Sequence, residues 1–208
     1  MATTKNSNEF VILDFETTGL SPEYARVIEV GAVIVRDAKV IDTVSQLMYP
    51  GHSIPYFITD MTGITNQMVR GKPTPEKFMP TLHKFIGNRP ILAHNASFDK
   101  KFLLSEMSNI GKKIENSFLC TLKLARRLIL APNYKLTTLT SHLKLKVSNS
   151  HQAHRALSDV MATLQVWLYI KKQVSERMEK EPDFNFFMKL EKHPKNKITK
   201  LFEQVASY

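Results

Sequence analysis

The stretch Phe10-Val11-Ile12-Leu13-Asp14-Phe15-Glu16-Thr17-Thr18-Gly19-Leu20 decides the reading of this chain. Its apolar run predicts a buried strand over residues 10–16. Side chains alternate along a strand, so Asp14 and Glu16 point to the same face. Two carboxylates side by side at the end of a hydrophobic strand repel each other and are costly to desolvate. A hard divalent cation, Mg2+ or Mn2+, removes both difficulties because it prefers oxygen ligands. A strand that merely runs out into an acidic turn explains Asp-x-Glu by itself. The Thr17-Thr18-Gly19 that follows favours the metal, adding hydroxyls, backbone donors and a flexible glycine beside it.

Outward from that strand, Val27 to Val35 and Lys39 to Tyr49 read as two more strands, with Asp37-Ala38 turning one into the next as an antiparallel meander. Residues 50–75 are punctuated by Gly and Pro and read as irregular, with a helical turn over Asp60 to Gly63. Helical spacing then sets in: Phe78, Leu82, Phe85 and Ile86 share a face, behind Thr74 as N-cap. Pro90 to Ala93 is a short buried strand, followed by a helix that Ser97 caps. Thr121 to Leu130 and the segment of Leu136, Leu139 and Leu143 are further helices. Residues 155–180 form the longest periodic stretch, with a stripe of Val160, Leu164, Trp167, Ile170 and Val174 that Pro182 ends. Trp167 belongs to that stripe and reads as packing. Strands in a meander, then strands alternating with helices, predict an α/β layer fold with a mixed sheet.

The chain has 208 residues, enough for one well-cored domain, and 43% hydrophobic residues, as in soluble globular proteins. Its net charge of +10 favours a polyanionic partner. No long basic amphipathic helix of the membrane-lying type is present, and no run approaches the length of a membrane span. The lone cysteine, Cys120, excludes an internal disulfide and cysteine-rich zinc sites. With a polar N-terminus, these features predict a cytoplasmic protein without a membrane partner.

Two other segments carry chemistry. In Ala93-His94-Asn95-Ala96-Ser97-Phe98-Asp99 a short strand hands over to a helix, and Asp99 sits in its first turn, where an acid also suits the helix dipole. In His151-Gln152-Ala153-His154-Arg155-Ala156-Leu157-Ser158-Asp159, Asp159 lies early on the long helix. His154, five residues earlier, does not share its helix face and belongs to the loop or cap before it. Histidine is the side chain best suited to take a proton near neutral pH. His151 is a rival base with poorer spacing. Taken together, four acids and a histidine, each beside a buried element, match the needs of two-metal phosphodiester hydrolysis.

Asp14-Phe15-Glu16-Thr17-Thr18-Gly19, Ala93 to Asp99 and His154 to Asp159 resemble the three exonuclease motifs of the DEDDh family, most closely its DnaQ-like, epsilon-type proofreading 3′-5′ exonucleases of DNA polymerase III. Val27-Ile28-Glu29-Val30-Gly31-Ala32, Thr62-Gly63-Ile64-Thr65 and Cys120 to Arg127 support the resemblance, which covers residues 8–170. It implies a ribonuclease-H-like mixed β-sheet flanked by α-helices. It implies two Mg2+ (or Mn2+): Asp14, Glu16 and Asp159 on one, Asp14 also on the second, and Asp99 supporting the second through water. His154 would be the general base. Thr17, Thr18, Gly19 and Leu20 would line the pocket of the terminal nucleotide, with Asn95 and Phe98 nearby. Arg155 stands where a tyrosine-type relative carries its tyrosine, so the histidine subclass fits.

The expected organisation is an exonuclease domain over residues 1–180 and a C-terminal helical appendage over 181–208. Phe184, Phe186, Phe187 and Leu190 recur there at helical spacing, which favours a packed amphipathic helix. The expected partner is the 3′ end of single-stranded DNA. Trimming of RNA 3′ ends, and an inactive nucleic-acid-binding or polymerase-associated module, are the alternatives. A DNA polymerase partner and a homodimer both remain open. The basic pairs Lys100-Lys101, Lys112-Lys113, Arg126-Arg127 and Lys171-Lys172 either funnel a strand or solvate the surface.

Overall fold

The computed structural model describes residues 9–147, 154–199 and 201–202. The quoted stretch forms β1 (Glu9–Thr17), which pairs antiparallel with β2 (Val27–Arg36). β2 in turn pairs antiparallel with β3 (Lys39–Leu47). Asp37 and Ala38, both at positive φ, make the turn between them. On its other side β1 pairs parallel with β4 (Ile91–Ala93), and β4 with β5 (Phe118–Cys120). The sheet order is β3-β2-β1-β4-β5. This is the mixed sheet that the meander and the later strand–helix alternation predict.

Alternation along β1 splits the core in two. Val11, Leu13 and Phe15 pack with Met79, Leu82 and Ile86 of α3 (Pro75–Ile86) and Phe102, Leu103 and Met107 of α4 (Ser97–Asn109). Phe10 and Ile12 pack on the opposite face with Val160, Leu164 and Trp167 of α7 (Ala156–Met178). Leu124 of α5 (Thr121–Leu128) and Leu139 of α6 (Leu136–His142) join that second layer. Trp167 is buried and meets Phe10 and Phe187 edge to face, so it packs as expected.

Several boundaries differ from the sequence reading. The segment after Pro50 holds α1 (Tyr56–Thr62) and α2 (Asn66–Val69), more helix than a single turn. Ile58 of α1 and Val69 of α2 pack with Ile28, Ile54 and Ile64 in a small cluster of their own, and Gly63 closes α1 in the left-handed conformation. Ser97 is the first residue of α4, not its cap. Ala96 takes the cap position behind Asn95, which is at φ 64. α5 stops at Leu128, where Ile129 turns extended. α7 ends at Met178 because Glu179 turns left-handed, before Pro182 is reached.

α8 (Phe184–Lys192) follows, with Asp183 accepting a hydrogen bond from Phe186 N at 2.8 Å as its cap. Phe186, Phe187 and Leu190 are buried in the α7 layer, as helical spacing predicts. Glu191 accepts from Cys120 N at 3.0 Å and from Lys123 Nζ at 3.0 Å, tying α8 to the end of β5. Among the described residues no helix is long and apolar enough to cross a membrane.

Candidate active site

Asp14 and Glu16 stand on the α7 side of β1, opposite Gly31 and Glu29 of β2. That register explains how the site is assembled. The Glu29 carboxylate, 2% exposed on its side chain, receives the fork of Arg155: Nε at 3.1 and 3.0 Å and Nη2 at 2.7 Å. It also accepts from Ala156 N at 3.0 Å, one of the orphan donors at the start of α7. A carboxylate there suits the helix dipole as well. Gly31 completes the seat. A Cβ on it would overlap Leu157 N and the Ala156 carbonyl carbon, and would lie 2.7 Å from the Ala156 oxygen. Glycine thus lets the first turn of α7 lie directly on β2, next to the acids of β1.

The result is that Glu16, His154 and Asp159 come together, each offering a ligand atom within 4.8 Å of the others. His154 precedes the helix at φ 63 and is exposed, which is the loop position expected of it. Asp99 arrives from the other side of the sheet. It is 2% exposed, and its Oδ1 accepts from Phe15 N at 3.1 Å, between the two β1 acids. Asp14, Glu16, Asp99, His154 and Asp159 all line one cavity of about 300 Å3. His151 lies outside the described residues.

Burial and mutual repulsion make the acids of this cavity harder to ionise. Burial, then Asp99, Asp159, Glu16 and Glu29, push the Asp14 carboxyl well above the ordinary range. Burial first, then Asp159, Glu29 and Asp99, raise Glu16 to about 8 against the pull of Arg155. Burial raises Asp99 to about 7 although the Phe15 amide opposes it. Asp159 is raised by burial and lowered by His154. The guanidinium of Arg155 is already committed to Glu29. These donors, nearly all carboxylate oxygens, fit Mg2+ or Mn2+.

The remaining expected residues fall into two groups. Thr17, Gly19, Leu20, Asn95 and Phe98 line the cavity. The Thr17 hydroxyl donates to Gly19 O at 2.6 Å, shaping the turn, and Leu20 is 80% exposed at the mouth. Lys101 Nζ donates to Leu20 O and stacks over the Phe98 ring, with 5.1 Å to its centroid. Thr18 is not among the lining residues. Its hydroxyl accepts from Arg26 N at 3.0 Å and fixes the end of β1. Several members of the basic pairs have partners within the fold. Lys171 pairs with Glu181, Lys172 with Glu176, Lys100 lies over Phe118, and Arg127 bonds the His193 carbonyl.

Sequence reasoning missed Ile58, Met61, His94 and Leu136, which also line the cavity. Both ring nitrogens of His94 are engaged, Nδ1 with Thr121 Oγ1 and Nε2 with Tyr134 O, each at 2.9 Å. Burial lowers its pKa. A neutral imidazole held this way orients the β4–α4 turn and is not free to take a proton. The signal for the missed seat was an acid and a glycine inside the apolar run Val27 to Val35.

Two predictions arise here. Arg155→Met strands the buried Glu29 carboxylate. The expected cost is about 3 kcal/mol, read as a lower urea midpoint, with an activity loss of about tenfold to a hundredfold as the seat of Asp159 loosens. The raised carboxyls predict the second. Their folded pKa values exceed the unfolded ones, so the native state holds more protons and loses stability as pH rises through that range. In EDTA the melting temperature should fall from about pH 5 to about pH 8. Mn2+ should remove that slope by favouring the ionised ligands. A flat profile in EDTA would contradict the electrostatic account.

Comparison with known proteins agrees with this geometry. The family model RNase_T, described as Exonuclease, matches residues 11–167. The chain is 36% identical over 173 residues to a PolC-type DNA polymerase III of Clostridium perfringens. That alignment takes 83% of this chain and 12% of the polymerase, so the chain spans only a small part of such relatives. It is likewise 36% identical over 166 residues to the DNA polymerase III subunit epsilon of Aquifex aeolicus, covering 79% of this chain and 81% of that one. Among solved structures, Exonuclease X in complex with 5′-overhanging duplex DNA is similar, with a TM-score of 0.66 and 31% identity over 79% of this chain and 92% of that one. E. coli Exonuclease I in complex with a dT13 oligonucleotide shares the fold, with a TM-score of 0.73 and 20% identity over 92% of this chain and 45% of that one.

Proposed function

Because the chain belongs to this exonuclease family, we propose that it is a metal-dependent 3′-5′ exonuclease that removes nucleoside 5′-monophosphates from single-stranded DNA ends. The observation that carries this reading is the cavity itself. Four carboxylates from three separate chain segments, and His154, surround one space where burial and mutual repulsion oppose their ionisation. Such a cluster is costly for folding alone and is of use when cations and a phosphate enter it.

In this reading Asp14, Glu16 and Asp159 would hold one divalent cation, and Asp14, supported by Asp99, would hold a second. Bound there, the ions supply positive charge to the phosphate and acidify water. His154 takes the proton of the attacking water. The water oxygen bonds to phosphorus, the bond from phosphorus to the 3′ oxygen breaks, and that oxygen takes a proton from solvent to become the new 3′ hydroxyl. Thr17, Gly19, Leu20, Asn95 and Phe98 orient the terminal nucleotide, while Thr18 acts through the fold of the turn. The exposed position of His154 supports the base role, since it can exchange protons with solvent. The names of the PolC-type and epsilon relatives support a setting beside a DNA polymerase.

The test uses 5′-labelled DNA and RNA oligonucleotides of one sequence with Mg2+, Mn2+ or EDTA. A ladder that shortens from the 3′ end, faster on DNA and absent in EDTA, is expected. Preferential RNA shortening would transfer the reading to a 3′-trimming ribonuclease. Binding without cleavage under every metal would leave a nucleic-acid-binding module.

A further inference from the structure

The cavity that holds the carboxylates has a neighbour across Asp159. A second depression of about 570 Å3 shares Leu136 and Asp159 with it and runs along α6 and the residues beyond. Thr137, Thr140 and Ser141 line it at a spacing of i, i+3 and i+4, which is one helical face, and Lys144 follows beyond the helix end. Leu139, on the other side of α6, is the residue of that helix buried in the core. Lys146 and Ser158 add further polar groups, and Leu145, Val147 and Ala162 form the apolar part of the lining. Lys144 and Lys146 are exposed, and neither forms an ion pair among the described residues. Among the described residues the only acid of the groove is Asp159, which belongs to the carboxylate cluster.

The α1 side of the cavity has a different character. There α1 contributes Ile58 and Met61 to the lining, exposes Tyr56 and Phe57, and carries Asp60 without a lysine or arginine. A polyanion leaving the cavity therefore meets cations and hydroxyls along α6 and an acid along α1. We propose that the α6 groove is the track for the single strand upstream of its 3′ end. Lys144 and Lys146 face the phosphates, and Thr137 and Ser141 donate hydrogen bonds to phosphate oxygens, while the Thr140 hydroxyl is held by Thr137 O at 3.0 Å. A hydroxyl-and-lysine track holds backbone without reading bases, so it passes any sequence. The inference rests on the exonuclease reading and assigns the path by which that site is fed.

The test is the double variant Lys144→Gln/Lys146→Gln. It is compared with wild type on single-stranded DNA oligonucleotides over a salt series, and on thymidine 5′-p-nitrophenyl phosphate, which fills the terminal site alone. The expected result is wild-type turnover of the ester with a raised KM for oligonucleotides. The dependence of log(kcat/KM) on log salt should become shallower by about 1.4, at about 0.7 for each single-strand phosphate that a lysine no longer neutralises. An unchanged KM and salt slope, with the ester still turned over, overturns the track and leaves the exonuclease reading intact. So does a raised oligonucleotide KM in Phe57→Ala but not in the lysine variant, which would send the strand over α1. A wild-type chain that cleaves neither substrate overturns the exonuclease reading, and the track with it.

Discussion

Asp14→Asn is expected to leave a folded protein that does not cleave DNA. Asp14 is the residue proposed to face both cations, and the charge they bring is worth several kcal/mol in the transition state. At about 1.4 kcal/mol per tenfold, the loss is on the order of a thousandfold or more. The same substitution should raise the melting temperature in EDTA at alkaline pH. Burial and the charges of Asp99, Asp159, Glu16 and Glu29 all oppose ionisation of Asp14, and asparagine keeps the shape without the charge. Lost activity with gained stability separates a functional carboxylate from a structural one. Near wild-type turnover of the purified variant would sink the assignment.

His154→Ala is the second large effect. Removing a general base costs about a hundredfold to ten-thousandfold, and a weak metal-dependent rate should remain. Because His154 is exposed, the variant should melt as wild type does. The close grouping of His154 with Glu16 and Asp159 allows a rival role as ligand, and the experiment resolves it. A base predicts unchanged Mn2+ affinity at reduced turnover. A ligand predicts weakened Mn2+ binding.

The β1 acids were legible because strand alternation is local: the one-residue spacing of Asp14 and Glu16 fixes their common face without knowledge of the rest of the chain. Asp99 and Asp159 needed motif order, since either alone passes for a helix-start acid. Glu29 could not be assigned a role from its position, because its partner Arg155 lies 126 residues away and meets it only when α7 seats on β2. Gly31 could not be assigned one either, because the α7 backbone that needs its missing Cβ is equally distant in sequence. α1 was read short because its stabilising contacts, Ile58 with Ile28, Ile54 and Ile64, are tertiary and the segment is too short for helical periodicity to register. Thr18 sits in the quoted motif beside residues that line the cavity, yet the bend after β1 turns its hydroxyl to Arg26 N.

The central claim is that the fold gathers these carboxylates to hold divalent cations. The most direct measurement is a Mn2+ titration followed by electron paramagnetic resonance, with thymidine 5′-monophosphate present, on wild type and Asp14→Asn. The account predicts saturable binding of two ions per chain in wild type, as a two-metal site requires, and loss of that binding in the variant. Wild-type protein that binds no Mn2+, or a variant that binds it as wild type does, would contradict it.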